Sequence, residues 1–242
     1  MIYTYELSVQ VKKFLKGEVE AFEKIFVMTA DDVYFHVSMV ISDPEEAERM
    51  VIKIYKDMYM QFGRLDKVEN VISWYNEIIY HELDNWIGKN YMELLVTETK
   101  GKFDHPVSNN DVLYGEKLYN ESETALIAID YIYELNPIHQ LTSLAYFFDK
   151  LAVNEIANLL QVDDDRINKR VKYITLTIED YCKQYAKTHE VRIANVDAHM
   201  ILLAYVQLFK SVELPHPNKV YKKIIEALQY CTNTCYLIWT VL

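Results

Sequence analysis

Residues 43–63, DPEEAERMVIKIYKDMYMQFG, specify both ends of a helix. A carboxylate at Asp43 can accept a first-turn N–H that has no partner within the helix, Pro44 suits the first helical position, and Glu46 can reach back to the cap. Gly63 stands just past the far end, where glycine readily takes the left-handed turn that stops a helix. A helix from about Pro44 to Gln61 follows, and the rest of the chain must pack against an element of that length. The next segment, KVENVISWYNEIIYHELDNWIG, sets Val68, Val71, Ile72, Tyr75, Ile78, Ile79, Leu83, Trp86 and Ile87 on one broad face, and Gly88 is expected to end it. Upstream, Thr29 with Asp32 three residues on reads as a capping box opening a helix in DDVYFHVSMVI. Only five Gly and five Pro occur in 242 residues, too few for the turns of a β-rich chain. The predicted class is all-α.

With 51% hydrophobic residues the chain has material for one large or two small cores, since domains commonly hold roughly 100 to 150 residues. A polar break, TETKGKFDHPVSNNDVLYGEKLYNES, has no sustained period and reads as a linker. It places one helical domain over 1–96 and a second over 123–188, with 97–122 between them. In the second, Asn136 caps and Pro137 begins a helix through Asp149, VNEIANLLQV forms a shorter one, and a third begins near Asp164 and runs to about Lys187. Long helix, short helix, tight turn and long helix is the spacing of a helix-turn-helix, whose last helix enters a DNA major groove. Residues 189–242 follow as a C-terminal extension of two more helices separated by ELPHPN, the first strongly apolar.

The net charge of −11 argues against a protein that coats nucleic acid unaided, because autonomous binding rests on cations that neutralise phosphates. Three Cys, an odd number, and the lack of an apolar leader fit a reducing cytoplasm better than a secreted disulfide framework. No stretch reaches the ~18 to 20 apolar residues of a membrane span. The chain nevertheless ends on CYLIWTVL, which leaves membrane association through the C-terminus open. Enzyme chemistry finds little material. HELDN at His81 begins like the zinc-protease H-E-x-x-H pattern but has Asn85 in place of the second His. Cys231 and Cys235, one helical turn apart with His216 upstream, lack a fourth ligand at a recognisable spacing, and buried thiols are their default role. No phosphate loop or dinucleotide fingerprint occurs, and carboxylates such as Glu18, Glu20, Asp31 and Asp32 read as helix surface and caps. Neither catalysis nor a metal or cofactor is expected.

Four stretches, taken in order, point to a family. LKGEVEAFEKIF, ISDPEEAERMVIKIYKDMY and VISWYNEIIYHELDNW resemble successive helices of region two of bacterial RNA polymerase sigma factors of the extracytoplasmic-function class. LNPIHQLTSLAYFFDKLAVNEIANLLQVDDDRINKRVKYI resembles region four, the helix-turn-helix of the same family. The match covers about three quarters of the chain, in the family's order and with its linker. The resemblance implies a region-two-like bundle and a region-four-like domain in a protein that binds core RNA polymerase, recognises two elements of promoter DNA and helps melt it, without a small-molecule cofactor. It assigns polymerase docking to the helix from Pro44, here through Glu45, Glu48, Arg49, Ile52, Lys53 and Lys56. It turns the helix holding Trp74 and Tyr80 toward the downstream promoter element. It gives the upstream element to the helix from Asp164, through Arg166, Lys169, Arg170, Lys172 and Tyr173. An anti-sigma or other regulatory protein is a further partner that it allows.

The chain also departs from the family pattern. Where the family continues with Asp, Leu, Val, Gln and Glu, this chain has Arg49, Met50, Val51, Ile52 and Lys53, so two acids on the docking face are reversed. Such reversals disturb complementarity with an unchanged partner; equally, Arg49 and Lys53 can pair with Glu45, Glu46 and Asp57 on a solvated face. The Trp74 helix carries Glu77, Tyr80, His81, Glu82, Asp84 and Asn85 where the family interleaves Arg and Asn, and residues 1–95 hold 10 Lys or Arg against 17 Asp or Glu. Phosphate neutralisation by this domain is therefore weak. Tyr75, Tyr80 and Trp86 can stack on unpaired bases, although core packing suits Tyr75 and Trp86 better. At 100° per residue, Ile167, Val171, Ile174 and Ile178 face inward while Arg166, Lys169, Lys172 and Tyr173 face outward, with Arg170 on the flank. Asp163, Asp164 and Asp165 suit a solvated helix start. Two functions from different classes stand: a sigma-like transcription initiation protein, or a degenerate sigma-like interaction module or membrane-tethered regulator without promoter recognition. The extension can dock on the sigma-like domains and mask them, or lead toward a membrane.

Overall fold

The computed structural model describes residues 4–91 and 117–239, with side chains over 5–91 and 118–229. The described chain is mostly helical, in keeping with the all-α class. In order it forms α1 (Thr4–Leu15), α2 (Glu20–Val40), α3 (Pro44–Gln61), α4 (Val71–Asn90), α5 (Glu121–Glu134), α6 (Pro137–Ser143), α7 (Val153–Leu159), α8 (Asp164–Thr188), α9 (Ala198–Ser211) and α10 (Pro217–Trp239). One π-helical turn, Leu144–Phe148, carries α6 onward, and the two-residue strands β1 (Lys117–Leu118) and β2 (Val191–Arg192) pair in parallel. Two compact units result, one formed by Met1–Glu82 with Val212–Leu242, the other by Leu83–Ser211.

In the first unit α3 starts as its sequence requires: the Asp43 carboxylate accepts the Glu46 N–H at 2.7 Å, and Pro44 opens the first turn. The start expected at Thr29 is not there. α2 begins at Glu20, and Thr29 lies buried in its middle, donating to the Ile25 carbonyl at 2.8 Å and standing 2.7 Å from the Tyr55 hydroxyl. A threonine can satisfy its hydroxyl one turn back inside a helix, so the T-x-x-D spacing carried no start. Gly17, at φ +95°, makes the turn from α1 into α2, in the left-handed region that glycine occupies without a steric cost. Gly88 does not end α4, which continues to Asn90. Aromatic rings meet in and at the margin of a largely aliphatic core: Phe22 meets Tyr59 at 5.0 Å, Phe26 meets Tyr55 at 4.9 Å and Phe62 meets Trp74 at 4.8 Å between ring centres.

In the second unit Asn120 and Glu123 form a reciprocal capping box at the head of α5. α9 lies against α5, and Phe148 of the π turn packs on Tyr205 and Phe209 of α9. α6 and α7 each pack on α8, and Ile138, Leu141, Ile156, Ile167 and Ile174 of these helices are buried. Of the expected linker, residues 97–116 lie outside the described residues, while 117–122 hold β1 and the start of α5. Of the extension expected over 189–242, α9 falls in the second unit and α10 in the first. Among the described residues no helix is long and apolar enough to cross a membrane; residues 240–242 of the terminal CYLIWTVL lie outside them.

Candidate nucleic-acid and protein interfaces

The short helix α7 and the long helix α8 are joined by residues 160–163. In that turn Gln161 takes φ +51°, and the Val162 N–H donates to the Ala157 carbonyl at 3.0 Å. Asp163 then caps α8, accepting the Arg166 N–H at 2.8 Å. That hydrogen bond, ahead of nearby cations, holds its carboxyl below the ordinary range. Beyond that turn α8 is anchored by Ile167, Ile174 and Ile178, all at 0% exposure.

The buried arc of α8 is rotated from the expected one. Arg170, expected on the flank and as a DNA contact, is 2% exposed, with Nη1 3.5 Å from the Thr142 hydroxyl of α6. It therefore cannot reach a phosphate in this arrangement. Val171, expected inside, is half-buried. Tyr173 is also half-buried, its ring 4.6 Å from that of His139, so it serves packing first. Arg166 is half-buried, and Lys169 and Lys172 are exposed. Lys169 bridges to Asp165 one turn earlier at 2.5 Å. Asn168, exposed beside Lys169 and Lys172, joins the outward arc; an asparagine at such a position can read adenine with two hydrogen bonds. A search for basic residues passes over it, although its helical phase marked it.

α4 carries fewer candidate contacts than its resemblance implied. Tyr80 is 0% exposed and faces the His36 ring edge-on at 5.9 Å, so base stacking by it is excluded in this fold. Tyr75 is buried and donates its hydroxyl to Asp32 at 2.8 Å. Trp74 is half-buried against Phe62, and the exposed ridge is Ser73, Glu77, His81 and Asn85.

α3 turns Ala47, Met50, Val51, Ile54, Tyr55 and Met58 to the core. Its outer surface holds every residue expected to dock: Glu45, Arg49 and Lys53 are exposed, and Glu48, Ile52 and Lys56 are half-buried. One of the two reversed charges pairs as expected on a solvated face. Arg49 does reach Glu45, at 3.9 Å, but Lys53 bonds to Glu82 of α4, a carboxylate with only 8% exposure. Glu48, on the opposite edge of the same surface, is bonded to Lys223 of α10. An acid at position 53 would instead face the Glu82 carboxylate.

Among the described residues no group of three His, Cys, Asp or Glu is placed to hold a metal. The thiols of Cys231 and Cys235 lie outside the described side chains, and Cys182 is buried, its thiol pushed up to about 12 by desolvation. No family model, curated protein or solved structure matches the chain.

Proposed function

We propose that this chain is a sigma-like transcription initiation protein that binds core RNA polymerase through α3 and promoter DNA through α8. The observation that carries the reading is the α7–turn–α8 unit, in which an isoleucine ridge anchors α8 and Asn168, Lys169 and Lys172 stand on the outward arc. A helix fixed on one side and cationic on the other is what major-groove docking requires, with lysines on phosphate or guanine and an asparagine on adenine. The exposed ionic surface of α3 and the ordered resemblance of four stretches to sigma regions two and four support the polymerase half of the reading.

The test is binding of purified core polymerase at two salt concentrations, followed by transcription from a pool of promoter fragments. Polymerase binding with new start sites is the expected result. Lys169→Glu with Lys172→Glu should abolish promoter-specific starts while the circular dichroism spectrum stays unchanged, and removing two phosphate contacts should flatten the salt dependence of DNA binding by about two units of log–log slope. Unaltered transcription from the double variant would refute the assignment of α8. A second reading, a sigma-derived interaction module without promoter recognition, draws on the burial of Tyr80 and Arg170 and the absence of any Lys or Arg from Val71 to Trp86. Polymerase binding without start sites would favour it.

A further inference from the structure

α10 is amphipathic and its packing is one-sided. Val220, Ile224 and Leu228 recur every fourth residue and are 0%, 0% and 6% exposed, while Lys219, Lys222 and Glu226 face solvent. The buried stripe lies along α3 and touches α2. Tyr221 sets its ring 5.2 Å from Phe26 and 6.3 Å from Phe22 of α2. Ahead of the helix, the Leu214 N–H donates to the Asp31 carboxylate of α2 at 2.9 Å. Lys223 closes the edge by bonding to Glu48, with the two side chains 41% and 27% exposed.

These contacts fall on the rim of the surface that the proposed function gives to polymerase. At 100° per residue, Glu45, Arg49, Ile52 and Lys56 form the middle of the outer face of α3, Lys53 its one edge and Glu48 the other. α10 takes the Glu48 edge and supplies there the cation that a docking partner would otherwise have to bring. The first turn of α3 is acidic, with Glu45 and Glu46, and α10 opens with Lys219, Lys222 and Lys223 before its one acid, Glu226. An electrostatic match of this kind selects a partner and fixes register more than it adds affinity. The apolar stripe is therefore the latch and the ion pair its guide, since a pair this exposed contributes little by itself.

We propose that α10 is an autoinhibitory strap, which competes with core polymerase for the Glu48 edge of α3 and must leave it for tight docking. The inference rests on the reading of α3 as the docking helix.

The test keeps the full chain. Glu48→Cys and Lys223→Cys are introduced together with Cys231→Ser and Cys235→Ser, Cys182 being buried, and the new thiols are either joined by a short bismaleimide or capped singly with N-ethylmaleimide. The two forms share one sequence, and circular dichroism checks that both are folded. The joined form should bind core polymerase at least tenfold more weakly than the capped form. Lys223→Glu in the otherwise native chain, which sets like charges together at Glu48, should bind several-fold more tightly than the native protein. Equal affinity of the joined and capped forms, with polymerase bound by both, would overturn the strap and leave α3 as the docking helix. Failure of the capped form, the native chain and Lys223→Glu alike to bind would overturn the docking role of α3 and the strap with it.

Discussion

Acidification should loosen the second unit through one imidazole. His139 sits on α6 with 4% exposure, its ring against Tyr173 and near the Arg170 guanidinium of α8. Burial first, and that cation second, hold it at about 4 from an ordinary 6.5. The folded state thus excludes a proton that the unfolded chain accepts. Stability from this group is full above about pH 6.5 and is lost progressively as pH falls toward 4, because there the unfolded state binds more protons. Going from pH 7 to pH 5, the two pKa values give a loss of about 2 kcal/mol. That corresponds to a fall of about 4 to 8 °C in the midpoint for a domain of this size. The assay is thermal unfolding at both pH values for the native chain and for His139→Gln, which keeps a polar group but does not titrate in this range. Carboxylates contribute to both proteins alike, so the difference between the two pH-dependent shifts isolates the imidazole. Equal shifts in the two proteins would refute a buried neutral histidine packed beside Arg170.

Two further substitutions address the residues that the fold withdrew from the surface. Arg170→Glu puts a carboxylate into a site shaped for a guanidinium and should cost 3 kcal/mol or more, on the order of breaking a buried charge contact, whereas Arg170→Met should remain within about 1.5 kcal/mol of the native chain; equal tolerance of both by urea denaturation would mean that this side chain is solvated. Tyr80→Ala should destabilise the first unit by about 3 to 5 kcal/mol, as large-to-small changes at fully buried aromatics do, and an unchanged unfolding midpoint would return Tyr80 to the surface as a base-stacking residue.

Helix starts were legible at three caps, whereas the glycine stop expected at Gly88 was not one. Asp43 with Pro44, Asn136 with Pro137 and Asp163 each caps where the local sequence places a cap, because capping joins residues three apart and needs nothing from the rest of the chain. The same locality misled at Thr29, whose hydroxyl is satisfied within α2 and by a tyrosine 26 positions away. The outward row on α8 was legible in part: Lys169 and Lys172 follow from helical phase, and Asn168 follows from the same phase once charge is set aside as the criterion.

Tertiary structure alone decided which polar groups were taken inside. Arg170 and Val171 are neighbours on α8, and periodicity assigned the apolar one to the core. The packing of α6 against α8 instead rotated the buried arc toward Arg170, where Thr142 and His139 provide a polar setting. Lys53 and Glu48 likewise look like two charges on a solvated helix until α4 and α10 bring Glu82 and Lys223 to them. Sequence by itself determined the helical class and the starts of α3, α6, α7 and α8, products of contacts within a few residues. The owner of each face is a matter of long-range packing, since a helix surface binds whatever complementary surface the rest of the chain delivers, and α10 is delivered to α3 from the far end of the sequence.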